Sequence, residues 1–544
     1  MYNKIKKTVF KGFALGFLLI ASNSCETTEL EILENPNALT PAQADVDLFL
    51  NGIQRSTATF FEAVTEEGME VTRILHMFGP NYNNAYSPDQ LNFPYETVYS
   101  GIISDIRAME PLALEKGLYT HIAIARVIEA YSIGTLVDFL GDIPYDEAVL
   151  GAENLNPKVQ PGASVYEAVL ALLDDAIVNF NKAEVSKPKD LFYGGNEAKW
   201  IKLTNTLKLK FLLQTRIVDT SVKDKINAII TSGNYITSTS DDFQFQYSSV
   251  DANPDSRHPI FSRNFNVAAD VSDYMSNSFM YYLDAQKTNK DPRIRYYFYR
   301  QKNNFTTNAN EASCIVDDKP SHYIGDYPFC NAGNGYWGRD HGDSDGIPPD
   351  GGKRTTWGVY PVGGLFDNNS FKAIPGRNIG LKGAGISPIM LASYVDFMLA
   401  ESALTLNTTG SAKAYLEAGV RKSIDKVMNF GASVAAPAFI PTNVEAYITE
   451  VLARYDAAGN DDERLEVIVK EYFIALFGNG IEAYNTYRRT GHPSDLQPTL
   501  LAASGAYINS FFYPSSMVDR NSNISQKADQ STRVFWATGG PTVK

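Results

Sequence analysis

The stretch Gly333–Gly364, GNGYWGRDHGDSDGIPPDGGKRTTWGVYPVGG, has neither a helical nor a strand period. It carries two tryptophans (Trp337, Trp357), two tyrosines (Tyr336, Tyr360) and four aspartates among dense glycine and proline. Segments that lack a packed core are poor in aromatics, so this composition points to an ordered loop. A long structureless loop inside a compact chain is usually either disordered or functional, and the aromatics favour a functional, ligand-facing loop. Sequence with helical spacing lies on both sides. The fold class that follows is mainly α: a scaffold of helix pairs, about 40–235 and 389–544, interrupted by a loop-rich insert of about 236–388 with a few short strands.

The flanks carry that reading. Tyr119–Leu140 repeats apolar residues at helical spacing (Ile124, Val127, Ile128, Tyr131) and stops at Gly141. Ser164–Phe180 and Glu197–Val218 are helical, the latter with Trp200, Leu203, Leu207 and Phe211 on one face and the lysines at 199, 202, 208 and 210 read as a solvated flank. Thr40–Pro80, Tyr95–Glu115, Asp273–Lys287, Ile389–Leu406, Ser411–Met428 and Asn443–Tyr455 are further helices, and Phe243–Tyr247 and Ile294–Tyr299 are candidate strands. Asp461–Phe477 is the most strongly patterned, with Asn460 and Glu463 as a capping box and Gly478 as its stop.

Bulk properties narrow the function. The 544 residues are 44% hydrophobic and 20% charged, with a formal net charge of −14. Such a balance lacks the basic footprint that phosphate backbones require, which argues against nucleic acid. At the N-terminus Lys4, Lys6, Lys7 and Lys11 precede a short apolar run, Phe13–Ala21, and then Ser22-Asn23-Ser24-Cys25. This is the layout of a signal peptide, residues 1–24, with Cys25 as the lipidated first residue of a lipoprotein. Its removal takes away four lysines and no acids, leaving −18. Residues 25–39 read as an acidic tether and 40–544 as one domain. The remaining cysteines, Cys314 and Cys330, are close enough in an exported chain to close a short disulfide loop; two free thiols are the alternative.

Each motif inside the loop has a competing structural role. Gly333-Asn334-Gly335-Tyr336-Trp337-Gly338 matches G-x-G-x-x-G, but no strand precedes it and no helix follows, so it is not a dinucleotide fingerprint. Asp343 and Asp345 echo a calcium loop, yet His341 and Gly352 occupy the positions where a calcium loop needs acids, and turn-capping is the competing role. Asp343, Asp345 or Asp350 could supply a glycosidase pair, a weak signal in an acid-rich chain. Glycine-flanked Trp337, Trp357 and Tyr360 would suit flat platforms for sugar rings, with Asp340, Asp345 and Arg354 bonding hydroxyls. Tyr82 and Tyr86, on an earlier loop, join this candidate ligand-binding set. The alternative for the tryptophans is that they pin the loop to the scaffold.

Several segments together resemble the SusD/RagB outer-membrane lipoproteins of Bacteroidetes. They are the signal ending at Cys25, GDIPYDEA (141–148), WIKLTNTLKLK (200–210), DPRI (291–294), the loop 338–364, YFIALFGNGIEAYNTYRRTGHP (472–493) and FFYPSS (511–516). The resemblance implies a surface lipoprotein that captures a nutrient, typically a glycan and in some members a peptide. It implies a SusC-like TonB-dependent transporter as partner, no cofactor and no enzymatic activity. No fixed ligand motif comes with the family, so the candidate residues rest on loop position and chemistry.

Overall fold

Tyr119–Leu140 forms the expected helix, and twenty of its 22 residues are buried. A helix apolar on every side has to lie inside other helices, and its neighbours supply them. In chain order the longer helices of this region are α1 (Val46–Val71), α2 (Ser104–Glu115), α3 (Tyr119–Leu140), α4 (Gly162–Phe180), α5 (Glu197–Gln214) and α6 (Val222–Ser232). The computed structural model describes residues 45–266, 273–344, 351–437, 443–503 and 505–537. From α3 to α6 each helix packs on the next, and α1 lies against both α2 and α3. After a short helix α7 (Asn277–Asp284) come α8 (Ala392–Leu406), α9 (Ala412–Gly431), α10 (Val444–Ala457), α11 (Asp461–Ala475) and α12 (Gly480–Thr490). The α8–α9, α9–α10 and α10–α11 pairs repeat the same sequential packing.

The two helical regions are joined through α1 and α12. Gly68 and Gly480 meet backbone to backbone: a Cβ on Gly480 would stand 2.0 Å from the Thr65 carbonyl oxygen. The Gly480 N–H donates to Thr65 Oγ1 at 2.6 Å. Only glycine permits that approach.

The insert is clamped at its base. β1 (Phe243–Gln246) runs antiparallel to β4 (Ile386–Met390), so the chain enters and leaves at the same place. Further in, β2 (Phe298–Tyr299) pairs antiparallel with β3 (Thr356–Trp357). The DPRI segment anchors it to the scaffold. Arg293 donates to both Asp291 carboxylate oxygens at 2.9 and 2.6 Å, and the Tyr447 hydroxyl bridges Asp291 and Glu471 at 2.7 and 2.9 Å.

Several local readings change. The 95–115 helix is really a short α turn (Asn92–Glu96), a π-helix (Thr97–Ile103) and then α2. The stretch 294–299 is helical over Ile294–Tyr297 and extended only at Phe298–Tyr299, because Asp291 Oδ1 accepts from the Arg293 N–H at 2.8 Å and turns the chain there. Helix 273–287 shortens to α7. Lys210 is not a solvated flank. It is buried, with its ammonium 3.4 Å from Asp138 and 3.2 Å from Glu482. The expected capping of α11 is present: Asn460 Oδ1 accepts from the Glu463 N–H at 2.9 Å, and Gly478 takes a φ of +96° after the helix.

Candidate ligand-binding site

Asp340 is the knot of the insert. Its carboxylate accepts from the Cys330 N–H (2.7 Å), Gln497 Nε2 (3.0 Å) and Asn277 Nδ2 (3.2 Å), which tie together four separate segments. Burial pushes its carboxyl up, to about 6, against the opposing pull of those three donors. Asn277, on the first turn of α7, also accepts from the Gly338 N–H at 2.9 Å. The next peptide follows: Arg339 N–H donates to Met275 O and Asn277 N–H to Arg339 O, at 3.0 and 2.9 Å. Gly338 must be glycine, since a Cβ would come within 2.0 Å of the Met275 carbonyl oxygen.

Above this floor lies a pocket of about 220 Å³. Its walls include Glu311, the Cys314–Cys330 disulfide, Asp343, Arg354 and Leu500, with Arg339 and Asp340 below. Both guanidiniums lie over one ring: Arg339 sits 4.8 Å and Arg354 5.4 Å from the Tyr274 centroid. Arg354 also stacks on Trp337 at 5.0 Å. Its Nη1 donates to Gly338 O at 2.5 Å and its Nη2 to Glu311 O at 3.1 Å. Arg339 Nη1 pairs with Asp343 Oδ2 at 3.2 Å. Nearby His76 donates from Nε2 to the Asp343 carbonyl oxygen at 2.8 Å. Burial, helped by the two arginines, pushes His76 down to about 3 and keeps it neutral. The pocket thus offers cationic donors and anionic acceptors, with Arg354 and Asp340 held by bonds to backbone and Arg339 and Asp343 by each other.

Of the candidate residues, Asp340 and Arg354 line this pocket. Trp337 backs it through Arg354 but is only 4% exposed and meets Phe305 edge-on at 4.9 Å, so it is no open platform. Trp357 and Tyr360 are corrected outright as ligand platforms. Trp357 is 0% exposed and lies 4.8 Å from Phe477, while Tyr360 packs between Tyr297 and Phe430. The β2–β3 pairing turns Trp357 inward, and both rings brace the loop. Tyr82 and Tyr86 are buried as well. The Tyr82 hydroxyl accepts from Arg73 at 2.9 Å, and the Tyr86 hydroxyl donates to Glu70 at 2.8 Å. Asp345 and Cys25 lie outside the described residues. Asp343, weighed for calcium, is engaged by Arg339, and among the described residues no group of three or more His, Cys, Asp or Glu side chains is placed to hold a metal ion. Arg339, Glu311 and Leu500 were not singled out. Arg339 stood inside the quoted loop, between Gly338 and Asp340; the other two come from stretches with no pattern to mark them.

The architecture has close counterparts among solved structures. A SusD homologue from Bacteroides fragilis superposes with a TM-score of 0.64 at 20% identity, covering 91% of this chain and 99% of that one. A SusD/RagB family protein from Bacteroides thetaiotaomicron gives 0.63 at 19%, covering 92% and 100%. A chitin-binding SusD homologue from Flavobacterium johnsoniae gives 0.59 at 18%, covering 91% and 99%. No protein of curated function matches in sequence. Residues 36–317 match a SusD-like family described as starch-binding and associating with the outer membrane, and residues 379–536 match the family of SusD and RagB outer-membrane lipoproteins. The chain belongs to the SusD-like family of outer-membrane nutrient-binding proteins. No helix among the described residues is long and apolar enough to cross a membrane.

Proposed function

We propose that the protein is a surface lipoprotein that captures a glycan in the pocket above Asp340 and delivers it to a SusC-like TonB-dependent transporter. The observation that carries the reading is the pocket's polar set. Arg339 and Arg354 present donors and Asp340 and Asp343 present acceptors, within a wall that Trp337 and Tyr274 hold rigid from behind. Sugar hydroxyls donate and accept at once, so they can replace water on both kinds of group without a charge of their own. Pre-formed geometry keeps the ordering cost of capture low. The chitin-binding relative is in keeping with this ligand class.

Capture rather than hydrolysis fits the engagement of the carboxylates. Asp343 is ion-paired with Arg339, and Asp340 already accepts from three donors, so neither is a free catalytic carboxylate. A lipid on Cys25, a tether over 25–39, a domain over 40–544 and an outward-facing position complete the proposal. Affinity electrophoresis through a polysaccharide panel, with product analysis, tests it. Retardation without released ends supports capture; reducing ends lost on Asp343→Ala overturn it. Cys25→Ala should move the protein from the membrane to the soluble fraction when no transporter is present.

A further inference from the structure

We infer that the pocket recognises a chain end: one uncharged sugar unit enters whole, and the rest of the glycan stays outside. The inference rests on the glycan reading above and adds how the glycan is held. The pocket volume is about 220 Å³. That is room for one hexose ring with its hydroxyls, and it lies below the roughly 300–1,000 Å³ of sites for drug-sized ligands.

The walls oppose passage of an internal unit, which needs a way out as well as a way in. The 309–318 segment and the 329–330 segment both line the pocket, and the Cys314–Cys330 disulfide bonds one to the other. Below them the floor is closed by Arg339 and Asp340, 3% and 4% exposed. Polar recognition is concentrated there. At the lip the exposed lining side chains Asn310, Asp317 and Asp318 can meet the unit next to the end, but none of them is buried as the floor residues are. Asp317 and Asp318 join Glu311, Asp340 and Asp343 on the lining against two arginines, in a chain of net charge −14. An acidic end unit would meet like charge.

The test uses the full chain in detergent and a panel of soluble polysaccharides, neutral (starch, glycol chitin, mixed-linkage β-glucan, xylan, mannan) and uronate-containing. For each polysaccharide that binds, chains shortened tenfold are titrated at equal mass. End recognition predicts that the half-saturating mass falls about tenfold, because ends per gram rise tenfold. An unchanged half-saturating mass overturns this inference and leaves glycan capture standing. Binding confined to uronate polysaccharides overturns it too. Failure of every polysaccharide to bind overturns the glycan reading itself. As an independent arm, Ala309→Trp plugs the pocket from an exposed lining position. It should weaken binding more than tenfold at an unchanged melting temperature; wild-type affinity in A309W overturns the assignment to this pocket.

Discussion

Replacing Trp357 by alanine separates bracing from ligand contact. Its indole is 0% exposed, packs 4.8 Å from the Phe477 ring, and its Nε1 makes no hydrogen bond. The variant therefore loses packing and opens a cavity but orphans no polar partner. Truncations of this kind cost about 3–5 kcal/mol. Unfolding entropy is about 2.1 cal/mol/K per residue, so a unit spanning Val46–Lys544 loses about 1 kcal/mol of stability per degree. The expected fall in Tm is then about 3–5 °C in differential scanning calorimetry, with glycan affinity of the folded protein within about twofold of wild type. Trp337→Ala should lower Tm as well, because that ring is also buried against Phe305, and should in addition weaken glycan binding by titration calorimetry, because Arg354 on the pocket wall loses the ring it stacks on. A tenfold loss of affinity in Trp357→Ala at unchanged Tm would refute the burial argument.

Other perturbations follow the same logic. Lys210→Met leaves Asp138 and Glu482 buried without their cation and should cost about 3–5 kcal/mol in urea unfolding. Lys208→Met, which removes a pair with the largely exposed Asp174, should cost less than about 1 kcal/mol. His492 lies between Glu466 and Asp462. Burial would lower it, but their bonds and charges outweigh that and raise it, and Glu466 drops to about 2 because His492, with Lys470, outweighs its own burial. The raised histidine stabilises fully below its unfolded value of about 6.5, and that contribution disappears as pH rises through the folded value; the depressed glutamate stabilises above about 4.5 and fails as pH falls toward 2. Thermal melts should show both losses, and His492→Gln should abolish the alkaline one. Serine at Cys314 and Cys330 frees a 16-residue separation and should cost about 3 kcal/mol; glycan binding should weaken with it, because the two cysteines join walls of one pocket.

What was legible in the chain was whatever local spacing controls. α3 is bounded by the residues that its apolar period and Gly141 mark, and the α11 cap depends on side chains three residues apart. Lys210 was misread because helical period assigns a face but not its neighbours; its partner carboxylates are supplied by Asp138 and Glu482, remote in sequence. The same limit governed the tryptophans. Glycine-rich surroundings announced a loop, but whether Trp357 points out or in depends on a two-residue pairing with Phe298. Asp340 and Arg354 could be read from one stretch; the wall opposite them arrives from residues 309–318 and 500, where only the fold brings the segments together.

The burial of Trp357 against Phe477 also bears on how such a protein can change over generations. A loop region hung on a scaffold could be exchanged wholesale for another. Here β3 presses on the turn after α11, and Arg293 of the insert is bonded into a network shared with α10 and α11. Excising the insert would bare the aromatic face of the scaffold and leave buried Glu471 without Arg293 and Lys287, the cations it pairs with. New specificities must therefore accumulate one side chain at a time along the pocket lip, where Ala309, Asp317 and Asp318 stand exposed, while the interior of the loop is inherited intact.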